Sequence, residues 1–232
     1  MSGIMNIAVI GAGNIGTLIA AKLAINDNTQ VYVHGRGIHA AKLAIDGITI
    51  AGIENLSVNP NQYHISLADV ETNTVFDGIA DVIFICSKAD DVAELLTLAK
   101  QLSHSMTNIC VLSNGLGHLE SAIEEFGPHR VIPATTTHGA WRKEPGVIQW
   151  AGSGAVNIGR TNNSPTREQL SEFFDILEQS GLNPNWIDDG VKLIWSKVLL
   201  NIAINPIASI TGRVNGDLLE PEMFETCVEV ML

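Results

Sequence analysis

The chain has 232 residues, 46% of them hydrophobic and only 16% charged; this suffices for one large domain, or a large and a smaller one, and argues against long disordered tails. The formal net charge is −12, a surface that repels phosphate backbones, so nucleic acid is not expected as a partner, while a local basic site for one small anion is compatible with it. Three well-separated cysteines, Cys86, Cys110 and Cys227, form no CxxC or CxxH pair, and the seven histidines are scattered, so neither a disulfide framework nor a metal site is expected.

The N-terminus, MSGIMNIAVIG, lacks the basic start and long apolar core of a signal peptide. No uninterrupted apolar run approaches the roughly 18 residues of a membrane span. With an odd cysteine count, these features predict a soluble cytoplasmic protein with no membrane association.

Short β-rich runs then alternate with helix-like segments. NIAVIG (6–11) is a strand, 15–26 a helix, QVYVHG (30–35) a second strand and 37–46 a short helix. Residues 47–65 alternate apolar and polar with Gly and Asn-Pro breaks, predicting inserted antiparallel strands. Strands are expected at 81–87 and 108–115, each followed by a helix, near 89–102 and 117–126. RVIPATTTHGAW (130–141), VIQWAG (147–152) and AVNIGR (155–160) read as strands, and 165–180 as a helix opened by Ser-Pro and closed by Gly181. Buried strands alternating with helices predict a doubly wound α/β domain of Rossmann type, with a mainly parallel sheet. After about residue 188 only helix, loop and helix remain. The expected domains are therefore 1–188, nucleotide-binding, and 189–232, the start of a smaller all-α part.

The first strand runs into Gly11-Ala12-Gly13-Asn14-Ile15-Gly16, a G-x-G-x-x-G between strand and helix. Gly11 permits the tight turn, Gly13 lets a pyrophosphate approach the backbone, and Gly16 lets the helix pack closely on the sheet. The helix N-terminus then offers its unpaired N–H groups to the phosphates. A tight turn with no ligand is the alternative. An NAD site usually has an acid at the end of the second strand; here Arg36 stands there, which points to the 2′-phosphate of NADP(H) rather than to a free ribose hydroxyl. Lys88 and Asn114 follow two further strands at the edge where ligands bind in such sheets. Lys88 reads equally as a cofactor contact or a solvated lysine, and Asn114 as a nicotinamide or substrate contact or as a turn residue of its Asn-Gly pair.

In WSKVLLNIAIN (195–205), Lys197, Asn201 and Asn205 recur at steps of four and share one helix face. The stripe is either a solvated face or a set of groups aimed into a cavity. Asn is a poor helix former, which favours the second reading. A cavity would suit carbonyl reduction: an ammonium stabilises the forming alkoxide and delivers a proton, and amides orient the substrate without adding charge.

The chain resembles the ketopantoate reductase family through GAGNIG, the lysine in SKADD, SNGLG, ATTTHGAWR followed by GVIQWAGSG, and WSKVLLNIAINPIASITGRVNGDL, in matching order over residues 5 to about 220. The resemblance implies NADPH-dependent reduction of 2-dehydropantoate to (R)-pantoate in pantothenate biosynthesis. It implies Lys197 as proton donor, Asn114, Asn201, Asn205 and Asn215 as substrate-binding, and Gly11 to Gly16, Arg36, Lys88, Asn114 and Ala140 as cofactor-binding. His138 is expected to be structural. The family continues past the point where this chain stops and carries there a glutamate and a serine that bind substrate; Glu222, Glu225 and Glu229 are not expected to replace them. The last twelve residues read as an amphipathic helix without a stop signal, which suggests a fragment or shortened homologue, and a homodimer through the bared apolar face. A related 2-oxo acid reductase and a non-catalytic NADP(H)-binding homologue are the rival functions.

Overall fold

The computed structural model describes residues 3–68, 70, 76–86, 92–112, 115–213, 217–218 and 220–231. The chain opens with β1 (Met5–Ile10), α1 (Asn14–Ala24), β2 (Thr29–Gly35) and α2 (Gly37–Asp46). Three short strands follow, β3 (Ile48–Gly52), β4 (Leu56–Val58) and β5 (His64–Leu67). Then come β6 (Ala80–Ile85), α3 (Val92–Leu102), β7 (Ser103–Val111), α4 (His118–Phe126) and β8 (Val131–Thr136). The remainder is β9 (Gly139–Glu144), β10 (Val147–Gly152), β11 (Val156–Gly159), α5 (Ser171–Gln179), β12 (Pro184–Ile187), α6 (Gly190–Thr211) and α7 (Pro221–Met231).

Eight strands form the main sheet in the order β12-β11-β8-β7-β6-β1-β2-β5. Every pairing from β8 across to β5 is parallel, and β11 lies antiparallel to β8. The chain runs from β1 outward through β2 to β5, then returns to the other side of β1 and runs outward through β6, β7 and β8. The strand order therefore reverses between β1 and β6, and loops splay apart there to leave a crevice at the C-terminal edge.

The period-two pattern explains why both faces are covered. In β1, Ile7 and Val9 join one apolar cluster, with α1 and α5 side chains, while Ala8 and Ile10 join another, with α3 and α4. β6 repeats this, Val82 and Phe84 against Ile83 and Ile85. Strands apolar on both faces need helices on both faces, and the protein is a doubly wound α/β structure.

A second sheet, β4-β3-β10-β9, packs over α1 from the outside. Sandwiched between two sheets, α1 buries Gly16 through Leu23 without a break. That is why its sequence is apolar all round rather than striped. Its one buried cation, Lys22, is ion-paired to Glu54 at 2.6 Å and lies 5.1 Å from the Trp150 ring centroid.

Four sequence expectations need correction. β5 does not belong to the inserted antiparallel group: it extends the main sheet parallel to β2, where the Ser66 hydroxyl bonds both Tyr32 and His34 of β2. The run 130–141 is two strands in two different sheets, because the chain turns at Thr137 and His138. There Gly154 passes so close that an added Cβ would meet the Thr137 carbonyl carbon at 2.3 Å. β12 was not expected, since Pro184 and Asn185 weaken its strand signal; as an edge strand beside β11 it tolerates proline. Helix α5 begins at Ser171, six residues later than expected, after turns in which Thr166 and Gln169 bond each other.

Helix α6 runs through Pro206 to Thr211 and ends at Gly212 in the left-handed conformation, giving 22 residues. Its most apolar 18 residues average a hydropathy of 1.5, so by length and composition it is apolar enough to cross a membrane. Its first turn is instead fixed to the main sheet. A Cβ on Gly190 would lie 2.6 Å from Pro133 Cγ of β8, and one on Gly159 of β11 would lie 3.1 Å from Leu193 Cδ2. Its later turns bury Ala203 and Ile207 against Leu218 and Cys227, the last on α7. Val191, Trp195, Leu199, Leu200, Ile202 and Ile210 stay exposed on it.

Candidate active site

A cavity of about 710 Å³ opens at the strand-order reversal. Its floor is the turn Gly11–Gly16 together with Cys86 at the end of β6. The turn is made by backbone bonds: the N–H groups of Gly11 and Ala12 both donate to the His34 carbonyl at 3.0 Å, and Gly13 N–H donates to Gly11 O at 2.7 Å. Gly11 has φ +101°, which only glycine adopts readily. At Gly16 a Cβ would lie 2.2 Å from Gly11 O, so close packing forbids one.

Gly13 differs from both. Its φ is −79°, open to any residue, and an added Cβ would meet nothing within 4 Å. Neither backbone strain nor packing within the chain requires glycine there. The open space over it, at the N-terminus of α1, is one that a pyrophosphate fits. The cavity has the size of a cofactor site.

The walls carry the specificity. Gly35 closes β2 so tightly against Ala12 and Ala40 that a Cβ would lie 2.8 and 2.9 Å from their Cβ atoms. Exposed Arg36 follows as the N-cap residue of α2 and lines the cavity. Ala134, Thr135 and Thr136 at the end of β8, and Ala140 and Arg142 of β9, also line the cavity. Glu94 is the one carboxylate among the described lining residues. A dinucleotide fits this arrangement, with a glycine turn at a helix N-terminus, exposed Arg36 in the lining and a parallel-sheet crevice.

His39 holds the small sheet against this wall. Its Nδ1 accepts from Gly146 N–H at 3.0 Å, so Nε2 carries the proton and donates to Thr17 Oγ1, also at 3.0 Å. Burial, and secondarily the Arg142 charge, push its pKa down to about 4, so the ring is neutral at ordinary pH. His138 is likewise fixed. Its Nδ1 accepts from Gly154 N–H at 3.0 Å and its Nε2 faces Leu182 O at 3.2 Å, and burial lowers its pKa. Both ring nitrogens are occupied in holding a turn, as expected for a structural histidine.

Of the residues singled out from sequence, Gly11, Ala12, Gly13, Asn14, Ile15, Gly16, Arg36 and Ala140 all line this one cavity. Lys88, Asn114 and Asn215 lie outside the described residues. Lys197, Asn201 and Asn205 do not line it; they sit on α6. Gly190, Leu193 and Lys197 follow each other at helical steps of three and four, so Lys197 shares the sheet-facing side of α6, one turn past Leu193. The early turns of α6 pass beside the loop after β7, where Val191, Ile194 and Trp195 form a shallow cleft with Gly115, Gly117 and His118. Lys197 is half-buried, and burial lowers its pKa from the ordinary lysine value. Asn201 is half-buried and Asn205 exposed. Among the described residues, none of these three side chains has a hydrogen-bond partner.

Arg142, His34 and Glu94 were not singled out beforehand. For Arg142 a signal existed: it stands two residues after Ala140, just past the expected strand 130–141, and period two puts both on one face if the strand continues. His34 and Glu94 lie on separate elements that only the fold brings together.

The family profile described as "Ketopantoate reductase PanE/ApbA" matches residues 7–163. A 2-dehydropantoate 2-reductase of Pyrococcus horikoshii is 31% identical over 228 residues, covering 98% of this chain and 71% of the relative. One from Pyrococcus abyssi is 32% identical over 219 residues, covering 93% and 67%. The crystal structure of the Geobacter metallireducens 2-dehydropantoate 2-reductase superposes with a TM-score of 0.79 at 23% identity, over 98% of this chain and 73% of that one. A D-mandelate dehydrogenase with NADH and anilino(oxo)acetate superposes at 0.74 with 26% identity, over 90% of this chain and 65% of that one.

Proposed function

The chain belongs to the ketopantoate reductase family, and from that premise we propose that it reduces 2-dehydropantoate to (R)-pantoate with NADPH. The observation that carries this reading is the cavity at Gly11–Gly16 with Arg36 in its wall, in a chain 31% identical to a 2-dehydropantoate 2-reductase over 98% of its length. In this reading residues 1–188 bind the nucleotide and residues 189–232 belong to the substrate-binding part.

The bound cofactor supplies a hydride to the C2 carbonyl of the substrate. Everything else falls to this chain. The N–H groups at the start of α1 hold the diphosphate, and Arg36 grips the 2′-phosphate, where an acid would repel it. As the carbonyl oxygen gains negative charge, the Lys197 ammonium stabilises it and gives up a proton to it. Burial of Lys197 lowers its pKa, which makes that transfer easier. Asn201 and Asn205 orient the substrate through their amides, joined by Asn114 and Asn215, and Asn114 also contacts the cofactor, as do Lys88 and Ala140. The partner in this chemistry is a small 2-oxo acid; the protein acts in the cytoplasm.

The likeness to D-mandelate dehydrogenase favours a second reading, a related reductase of another 2-oxo acid. One assay separates the readings. The purified chain is mixed with NADPH and ketopantoate, the loss of reduced-nicotinamide absorbance is followed, and pantoate is identified in the product. Turnover of ketopantoate supports the proposal. Turnover confined to aromatic 2-oxo acids supports the second reading, and nucleotide binding without any turnover would leave a non-catalytic homologue.

A further inference from the structure

Strand β9 is the edge of the small sheet, and its inner face lies over α1. Opposite residues of an antiparallel pair share a face. Ala140 opposes Trp150 and Arg142 opposes Ile148, and both partners are buried core residues, 5% and 0% exposed. Arg142 therefore occupies an inward position, where alternation calls for an apolar side chain, while Trp141 between them is 51% exposed on the outer side. The register slips just beyond it: Val147 opposes Glu144 and Ile148 opposes Arg142, so Lys143 is an extra residue in a β-bulge. Such bulges re-aim side chains beside functional sites.

The arginine so placed lines the same cavity as Arg36 and lies close enough to His39 of α2 for its charge to lower that ring's pKa. Among the described residues no carboxylate pairs with it. The side chain is solvent-exposed, and in a chain of net charge −12 an unpaired guanidinium lining the cavity of an anion-binding glycine turn favours an anion there. The hairpin that carries it is tied to the first turn of α2 through Gly146 and His39, so both cations are held on one framework.

We propose that Arg142 is a phosphate-binding residue of the dinucleotide cavity, joining Arg36 and the glycine turn in holding an anion there. It rests on the reading of the cavity as a nucleotide site. A guanidinium presents two parallel N–H donors to a phosphate, and such a charge-assisted pair is strong because the fork is rigid. The anion is a phosphate of the nucleotide, either the 2′-phosphate or the diphosphate.

The test measures binding, not turnover. Wild type, Arg142→Gln and Arg142→Met are titrated with NADPH and with NADH by nicotinamide fluorescence and calorimetry. The residue is exposed on an edge strand, so two neutral variants of different shape guard against a local folding defect, checked by thermal melting. NADPH affinity is expected to fall roughly tenfold to a hundredfold in both. If NADH is unaffected, the contact is the 2′-phosphate; if NADH weakens equally, it is the diphosphate. Unchanged affinity for both nucleotides in a folded variant overturns the proposal. If the wild type itself binds neither nucleotide, the reading of the cavity has failed instead.

Discussion

Gly16 sits so close beneath Gly11 that a methyl group on it would lie 2.2 Å from the Gly11 carbonyl oxygen, whereas the same group on Gly13 would touch nothing within 4 Å. Two glycines of one motif are thus kept for opposite reasons. Gly16→Ala forces the turn away from α1 and is expected to lower stability by about 1–3 kcal/mol, seen as a lower melting temperature. Gly13→Ala leaves melting nearly unchanged and weakens NADPH by tenfold or more, on the order of 1.4 kcal/mol. A Gly13→Ala protein that binds NADPH like wild type would show that no ligand occupies that space.

Arg36 stands where an acidic residue would select NAD, and it follows a glycine that packing forces on β2. Arg36→Ala is expected to weaken NADPH by roughly tenfold to a hundredfold and NADH by much less, since only NADPH carries the 2′-phosphate. Equal losses for the two nucleotides would remove Arg36 from that role.

The distribution of what was legible follows the range of the interactions. Local rules suffice for the glycine turn, for β1 and β6, and for α2, whose signals lie within a few residues of the sequence; β7 runs Ser103–Val111, starting five residues before the expected strand. They fail where a distant contact decides. Thr137 and His138 read as strand interior because Thr is β-branched, yet Gly154 and Leu182 bond His138 and turn the chain. Pro206 lies inside α6, which continues because Ala203 and Ile207 on either side of it are buried against Leu218 and Cys227. Arg142 gains its meaning only from which face of β9 looks inward, and the β-bulge at Lys143 fixes that.

His39 makes stability depend on pH. Its ring is 3% exposed, and its Nδ1 must stay unprotonated to accept from Gly146. In the unfolded chain the ring takes up a proton below pH 6.5, whereas in the folded chain it does so only near 4. Between those values the unfolded state binds more protons, so stability falls as the pH drops from about 6.5 to about 4, by about 1–3 kcal/mol for this residue. His34 and His138 are shifted in the same direction by burial and add to the slope. His39→Gln, whose amide can still accept from Gly146 and donate to Thr17, is expected to flatten part of that slope in melts across the window. An unaltered slope would assign the acid sensitivity to other groups.

Lys197 tests the chemistry apart from the cofactor, because it lies on α6 and not in the wall of the nucleotide cavity. Lys197→Ala is therefore expected to keep NADPH affinity within about twofold. Turnover should fall by roughly 10²–10⁴, the usual worth of a positioned proton donor. The pH profile gives an independent reading. A proton donor works only while protonated, so kcat should decline on the alkaline side, and burial moves that decline below the ordinary lysine value of 10.5. Lys197→Arg keeps the charge but does not release its proton in this range, so it should retain substrate affinity and lose kcat together with the alkaline limb. If Lys197→Ala left kcat intact, the proton would have to come from another group or from water, and the amide stripe on α6 would revert to a solvated helix face.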